Sequence, residues 1–431
     1  MRCRALPRED ILSIVSGDRL NQRRRSPVHM QFKASKLILM IATAEIFLAG
    51  LIVSSITPYQ SVIGIEVFGL GSASYSALVL TASLFSVALS ILVGILSDQT
   101  GNLRQLLLAT FLISMVGQLL IFLFRTPLAF VLANLLAIPA MRANFSQLFA
   151  ALRISVHDKP KFVGDQITSI ARALFALSFA AGPFLLSFAI AQQMPLIWVY
   201  LVASVISFVC FAVTFLFWPK QGGGHSAQPD LCFLASFREI LDRAVLVRLG
   251  VMGMLLGAQR LYMILFGLLI IHSVHGSASD VGRFSGLLAL LEVPFMMFVG
   301  VALRWISKTI ALAAGSLVFS LFLFALGKAD SMNVVYLLTI PGAFGHAVLL
   351  SVSISYFQDQ IAGRPGASSS LITAGSLIAE LFSSALFAIG SAFLGYPGIA
   401  TLGALFGLAS AGALIWVDRR RAFSAPMELA G

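Results

Sequence analysis

The sequence predicts an all-α integral membrane protein, with twelve transmembrane helices in two six-helix halves. Three observations carry that reading. Hydrophobic residues make up 58% of the chain and charged residues only 11%, against roughly a quarter charged in a soluble domain. Mean hydropathy is +0.94. Twelve apolar runs are long enough to cross about 30 Å of hydrocarbon, and one longer polar gap divides them six and six.

The runs lie at 36–58, 75–97, 105–124, 127–151, 163–190, 196–217, 246–271, 280–302, 309–327, 334–357, 366–390 and 397–417; they are numbered here as spans 1 to 12. Each is read as a helix, because an isolated strand leaves its backbone unpaired in lipid. Short polar links join neighbours, such as Arg125-Thr126-Pro127 and Lys328-Ala329-Asp330-Ser331. The break between spans 3 and 4 is the weakest. The gap at 218–245 holds Gln221-Gly222-Gly223-Gly224 and reads as a flexible linker. The expected organisation is a basic extension at 1–35, a first half at 36–217, the linker at 218–245, a second half at 246–417 and a tail at 418–431.

Charge distribution orients the bundle. With both termini on one side, 23 of the 29 Lys and Arg residues fall in segments on that side and only Arg125 and Lys328 on the other; Arg142, Arg172, Arg260 and Arg283 lie within spans. Basic residues concentrate in cytoplasmic segments, so both termini are expected in the cytoplasm. Arg23-Arg24-Arg25 then faces anionic headgroups, and nucleic acid is not an expected partner despite the net charge of +11. The first 29 residues lack an apolar stretch of signal-peptide form, so cleavage is not expected. They read as disordered, or, with Met30 just ahead of span 1, as preceding the true start.

Enzyme chemistry finds no support. There is no phosphate-binding loop, no metal-ligand cluster and no nucleophile–base arrangement in a soluble domain, so no cofactor or metal is expected. The cysteines, Cys3, Cys210 and Cys232, form no CxxC pair.

Traces of an internal repeat appear. Span 2 ends in Gly94 and, four residues on, Asp98; span 8 ends in Gly300 and, four on, Arg304. Arg172 precedes Gly182 by ten residues, as Glu380 precedes Gly390. Gly94, Asp98, Gly101 and Arg104 resemble the loop motif between helices 2 and 3 of the major facilitator superfamily, with Asn102 and Leu103 where basic residues are usual. The resemblance implies that the glycine permits close helix packing and that the Asp pairs across an interface that opens during transport.

Further stretches resemble the bacterial sugar efflux transporter family: Gln147-Leu148-Phe149-Ala150 with Arg153, Arg172 ahead of Gly182-Pro183, Gly282, Gly286, Leu291-Glu292-Val293-Pro294, and Phe357-Gln358-Asp359 followed by Gly363-Arg364-Pro365-Gly366-Ala367. The resemblance runs from about residue 40 to 415. It implies the major facilitator fold and export of small sugars or glycosides, driven by protons through alternating access. Leu265 stands where the family carries an Asp, and Glu45, Arg142, Arg260 and Glu380 depart from its pattern. Export of a drug or siderophore stays open as an alternative, and a membrane sensor or acyltransferase is the rival outside transport.

A sugar requires amide or hydroxyl partners and an aromatic face. Asn144 and Gln147 in span 4, with Gln259 and Tyr262 in span 7, are the candidate contacts, since the resemblance implies that these helices line the cavity. The alternative is that their polar groups tie helices together. The same choice holds for His346 in span 10, a helix-bonding group or one titrating near neutral pH.

Glu45, Arg142, Arg172, Arg260, Glu292 and Glu380 lie well inside spans. Each lipid-facing charge costs about 3 kcal/mol at the bilayer centre, so they are expected to face a polar interior. At 1.5 Å per residue, depth pairs Glu45 with Arg142, Arg172 with Glu292 and Arg260 with Glu380. Glu45 and Glu380 are the expected proton carriers.

Overall fold

The computed structural model describes residues 28–100, 102–156, 161–219, 243–360 and 365–419. Residues 1–27, Gly101, the linker residues 220–242, Gly363-Arg364 and the tail from 420 lie outside the described residues, as do the side chains of Asp98 and Arg153.

All twelve expected spans are helices. They are α1 (Val28–Ile56), α2 (Ser72–Thr100), α3 (Leu103–Phe124), α4 (Pro127–Ser155), α5 (Lys161–Ala191), α6 (Trp198–Phe217), α7 (Arg243–Leu268), α8 (Ala278–Ala302), α9 (Lys308–Lys328), α10 (Met332–Gln360), α11 (Pro365–Phe393) and α12 (Gly395–Val417). The weak break between spans 3 and 4 is real. Arg125 takes a left-handed conformation (φ 50°) as the cap of α3, and Pro127, which has no N–H to satisfy, opens α4. Ser277 and Asp280 form a capping box at the start of α8. α1 begins at Val28, eight residues ahead of the expected start at 36. Large apolar side chains such as Phe85, Phe124, Leu185, Met297 and Phe393 are exposed on the outside of the bundle. That is the surface a lipid-embedded protein presents.

The packing repeats between halves. α1 packs on α5 and α6, and α7 likewise on α11 and α12; α3 packs on α4 and α6 as α9 does on α10 and α12; α2 packs on α4 as α8 does on α10. Across the halves, α5 meets α8 and α2 meets α11, two contacts that exchange when the halves are swapped. Inverted or parallel duplication of this kind is how secondary transporters are built.

The repeat extends to hydrogen bonds. A five-residue π turn, Ile63–Val67, follows α1, and another, Leu269–Ser273, follows α7. In each, the residue after the turn donates to its first carbonyl (Phe68 to Ile63, Val274 to Leu269), and the residue two further on donates to its second (Leu70 to Gly64, Gly276 to Ile270). Between those donors sit the two left-handed residues, Gly69 (φ 66°) and His275 (φ 56°).

The two ends of the bundle differ. At the far end, away from the termini, small residues of the second half press on the first. A side chain at Gly282 would strike Tyr59 Oη and Pro183 O, at Gly286 the carbonyl of Ala180, and at Gly267 the carbonyl of Pro58. Ser279 donates to Ser187 O at 2.8 Å. At the terminal end, a side chain at Gly94, Gly250 or Gly300 would meet nothing within 4 Å among the described residues. The close packing expected of Gly94 is therefore not formed in this conformation. Gly182 does pack closely, against Ser54 and Leu51 of α1.

Candidate substrate and coupling site

Three of the interior charges meet at the centre. The midpoints of α4 and α11 fall at residues 141 and 379, and that of α7 with its π turn at 258; Arg142, Glu380 and Arg260 each lie within two residues of these. Arg260 Nε stands 3.7 Å from Glu380 Oε1, and Arg142 Nη2 stands 3.8 Å from the same oxygen. Both distances are ion-pair approaches too long for hydrogen bonds. The Glu380 side chain is 7% exposed, whereas those of Arg142 and Arg260 are 45% and 41% exposed. Arg142 belongs to the first half and the other two to the second, so this cluster joins the halves at mid-depth. Tyr75 of α2, itself buried, lies within electrostatic range of Glu380.

The expected pair Arg260–Glu380 is formed; the other two are not. Arg142 turns to Glu380 instead of Glu45. Glu45 is fully buried and accepts a hydrogen bond from Thr214 of α6 at 2.7 Å. Its second oxygen is buried with no hydrogen-bond partner among the described residues, and Cys210 is a near neighbour. Glu292 approaches His346 of α10, Oε1 to Nδ1 at 2.6 Å. The contact is short but off the ring N–H direction, since neither His346 nitrogen has an aligned hydrogen bond. Arg172 is exposed on α5 and has no ion-pair partner among the described residues. Depth along a helix was matched, but a shared depth does not say which way each helix face turns.

The candidate sugar contacts divide. Gln147 Nε2 donates to Thr110 Oγ1 of α3 at 3.2 Å, while its Oε1 is buried without a hydrogen-bond partner among the described residues. Asn144 is 1% exposed, its Oδ1 likewise without a partner among the described residues. Gln259, 8% exposed, adjoins Arg260 on α7. Tyr262 is 2% exposed and enclosed by the rings of Phe266, Phe319, Phe322 and His346. In this conformation it is a core residue of the second half.

Arg104 of the loop motif reaches the end of α6, donating from Nη2 to the Phe215 carbonyl at 2.7 Å with its guanidinium over the Phe215 ring. A cation at a helix C-terminus completes the last carbonyls. Gly94 faces open space, and Gly101 and the Asp98 side chain lie outside the described residues.

Sequence reasoning missed Thr214 and passed over His346 as a partner for Glu292. It also missed Asp418, placed in the tail. Asp418 is 1% exposed and accepts from Arg248 Nε (2.7 Å), Tyr356 Oη (2.6 Å) and Thr309 Oγ1 (3.2 Å). A single acidic residue after an apolar run gave no signal of that convergence.

Two like six-helix halves packed across a shared interface are the architecture of a membrane carrier. The model of the Major Facilitator Superfamily matches residues 46–384, and the chain belongs to that superfamily: it is a transporter, not an enzyme. It is similar to a putative sugar efflux transporter of Deinococcus radiodurans, 23% identical over 88% of this chain and 97% of that one. It is also similar to sugar efflux transporter C of Escherichia coli, 28% identical over 46% of this chain and 50% of the other. Among solved structures, the nucleoside transporter NupG aligns over 88% of this chain and 98% of its own with a TM-score of 0.73 at 13% identity. A bacterial homologue of the human lysosomal transporter Spinster aligns over 90% and 98% with a TM-score of 0.67 at 14% identity. These likenesses establish the shared fold.

Proposed function

We propose that this chain exports small sugars or glycosides across a bacterial cytoplasmic membrane by proton antiport, alternating between two open states. The central cluster of Arg142, Arg260 and Glu380 carries the reading, because it places accessible polar groups at mid-depth between two halves that have to part for a solute to pass. The relatives named as sugar efflux transporters supply the substrate class. The bias of basic residues supports a cytoplasmic terminal end. Close packing at the far end and its absence at Gly94, Gly250 and Gly300 among the described residues support an inward-facing conformation.

Glu45 is the carboxyl best suited to exchange a proton. It is enclosed, has one neutral donor and lacks an ion-pair partner among the described residues. A lone carboxylate in a dry interior is costly, and a bound proton removes that cost. Glu380 differs, since two guanidiniums already balance it. Gln259 is the proposed sugar contact in this conformation, with Asn144, Gln147 and Tyr262 reached only after helices shift. Arg172 and the pair Glu292–His346 are proposed to bias the conformational equilibrium.

The test uses proteoliposomes with an imposed pH gradient and a panel of labelled sugars. Accumulation of a sugar on the acidic side, collapsing with a protonophore, is the expected result. Gradient-independent movement removes the coupling, and no movement of any sugar removes the substrate class.

A further inference from the structure

We infer that the central site selects an anionic solute, so that, on the proposal of sugar export, the cargo is an acidic sugar such as a uronate. The argument is one of charge balance. Two guanidiniums converge on a single carboxylate oxygen, one from each half. The cluster therefore carries one formal positive charge in excess. It lies at the middle of the bundle, where an unbalanced charge becomes costly once closure removes water from it. The other two carboxylates deep within spans contact other groups, Glu45 meeting Thr214 and Glu292 meeting His346.

The geometry shows which groups are unsaturated. Neither arginine has a hydrogen bond to Glu380, both distances exceeding 3.5 Å, and each side chain is more than two-fifths exposed while Glu380 is nearly covered. A guanidinium offers five donors in a planar fork that fits a carboxylate bidentately. None of those donors makes a hydrogen bond to the one oxygen the two share. A single carboxylate entering between Arg142 and Arg260 would restore neutrality and bridge the halves. A neutral sugar would leave the excess charge in place. Solute charge would thus couple directly to closure, because Arg142 moves with the first half and Arg260 with the second.

The experiment measures binding of labelled glucuronate, glucose and benzoate to the purified full chain in lipid nanodiscs. Glucuronate is expected to bind at least about tenfold tighter than glucose, the worth of one charge-assisted contact. R142Q and R260Q should each abolish that preference, and R142K should restore part of it. E380Q provides a change of opposite sign that a misfolded protein cannot mimic: freeing both guanidiniums should tighten glucuronate by about tenfold. Equal binding of glucuronate and glucose, or unchanged preference in R142Q, overturns the anion inference and leaves sugar export standing. Benzoate binding as tightly as glucuronate, with glucose unbound, supports the anion site and overturns the sugar reading. No saturable binding of any probe overturns both.

Discussion

His272 Nε2 lies 2.8 Å from Glu66 Oε1, and the two are the fourth residues of the matching π turns that follow α7 and α1. The same backbone device, repeated in each half, thus carries opposite partners of one contact across the far end. π turns often mark functional positions, and here both re-aim a polar side chain toward the partner half.

This pair is part of the far-end closure but not its main element. Both side chains are more than one-third exposed, and exposed pairs contribute only about 0.2–1 kcal/mol. E66Q should therefore raise the population of the outward-open state by no more than about fivefold. Distances between spin labels on the two π turns would report the shift. A complete loss of the closed state would show that the latch is stronger than its exposure allows.

The glycines beside it should matter more. A methyl at Gly282 meets Tyr59 Oη and the Pro183 carbonyl, and at Gly286 the Ala180 carbonyl at 2.9 Å. Backbone cannot yield as a flexible side chain does, and overpacking costs about 1–3 kcal/mol. G286A should lower the inward-facing population by about five- to a hundredfold and slow transport, with normal insertion in the membrane. G94A, facing open space in this state, should leave the inward-facing population unchanged. Equal effects at both positions would contradict the closed and open ends described above.

Glu45 yields a prediction about coupling. E45Q keeps the shape and the Thr214 contact but cannot release a proton. Exchange of labelled for unlabelled sugar across a membrane without a gradient should persist, while accumulation driven by a pH gradient should be lost. T214V removes the one hydrogen bond made to the carboxyl among the described residues and should cost about 1–3 kcal/mol of stability, read as a lower melting midpoint. Gradient-driven accumulation by E45Q at the native rate would exclude Glu45 as the carrier.

The sequence reading reached the fold because the signal for a membrane helix is local: an apolar run of sufficient length has no other way to satisfy its backbone in lipid. It placed Arg260 with Glu380 for a similar reason, as equal depth on adjacent helices suffices when α7 packs on α11. It failed for Glu292, which shares a depth with Arg172 but turns toward α10 and His346. Rotation about a helix axis is hard to read here, because lipid-facing and buried faces are both apolar. The paired π turns were equally hidden. Ile-Gly-Ile-Glu-Val and Leu-Ile-Ile-His-Ser share only the Ile at their third position, and their likeness lies chiefly in backbone hydrogen bonds.

Asp418 should prove to be structural. It receives α7 through Arg248, α9 through Thr309 and α10 through Tyr356, just beyond the end of α12. All these groups belong to the second half, so the contact fastens that half without touching the first. Removing one partner of a buried ion pair leaves an uncompensated charge, at a cost of about 3–5 kcal/mol; with the Arg248 side chain 19% exposed, water relieves part of it, and D418A should cost about 3 kcal/mol. D418N retains two of the acceptor roles and should cost less. Thermal melting of the purified protein would rank wild type above D418N and D418N above D418A. Adding R248L to D418A should recover part of the loss, since the stranded cation goes with it. Transport per folded molecule should be unchanged in D418N. A selective loss of transport at full stability would instead place Asp418 in the conformational cycle.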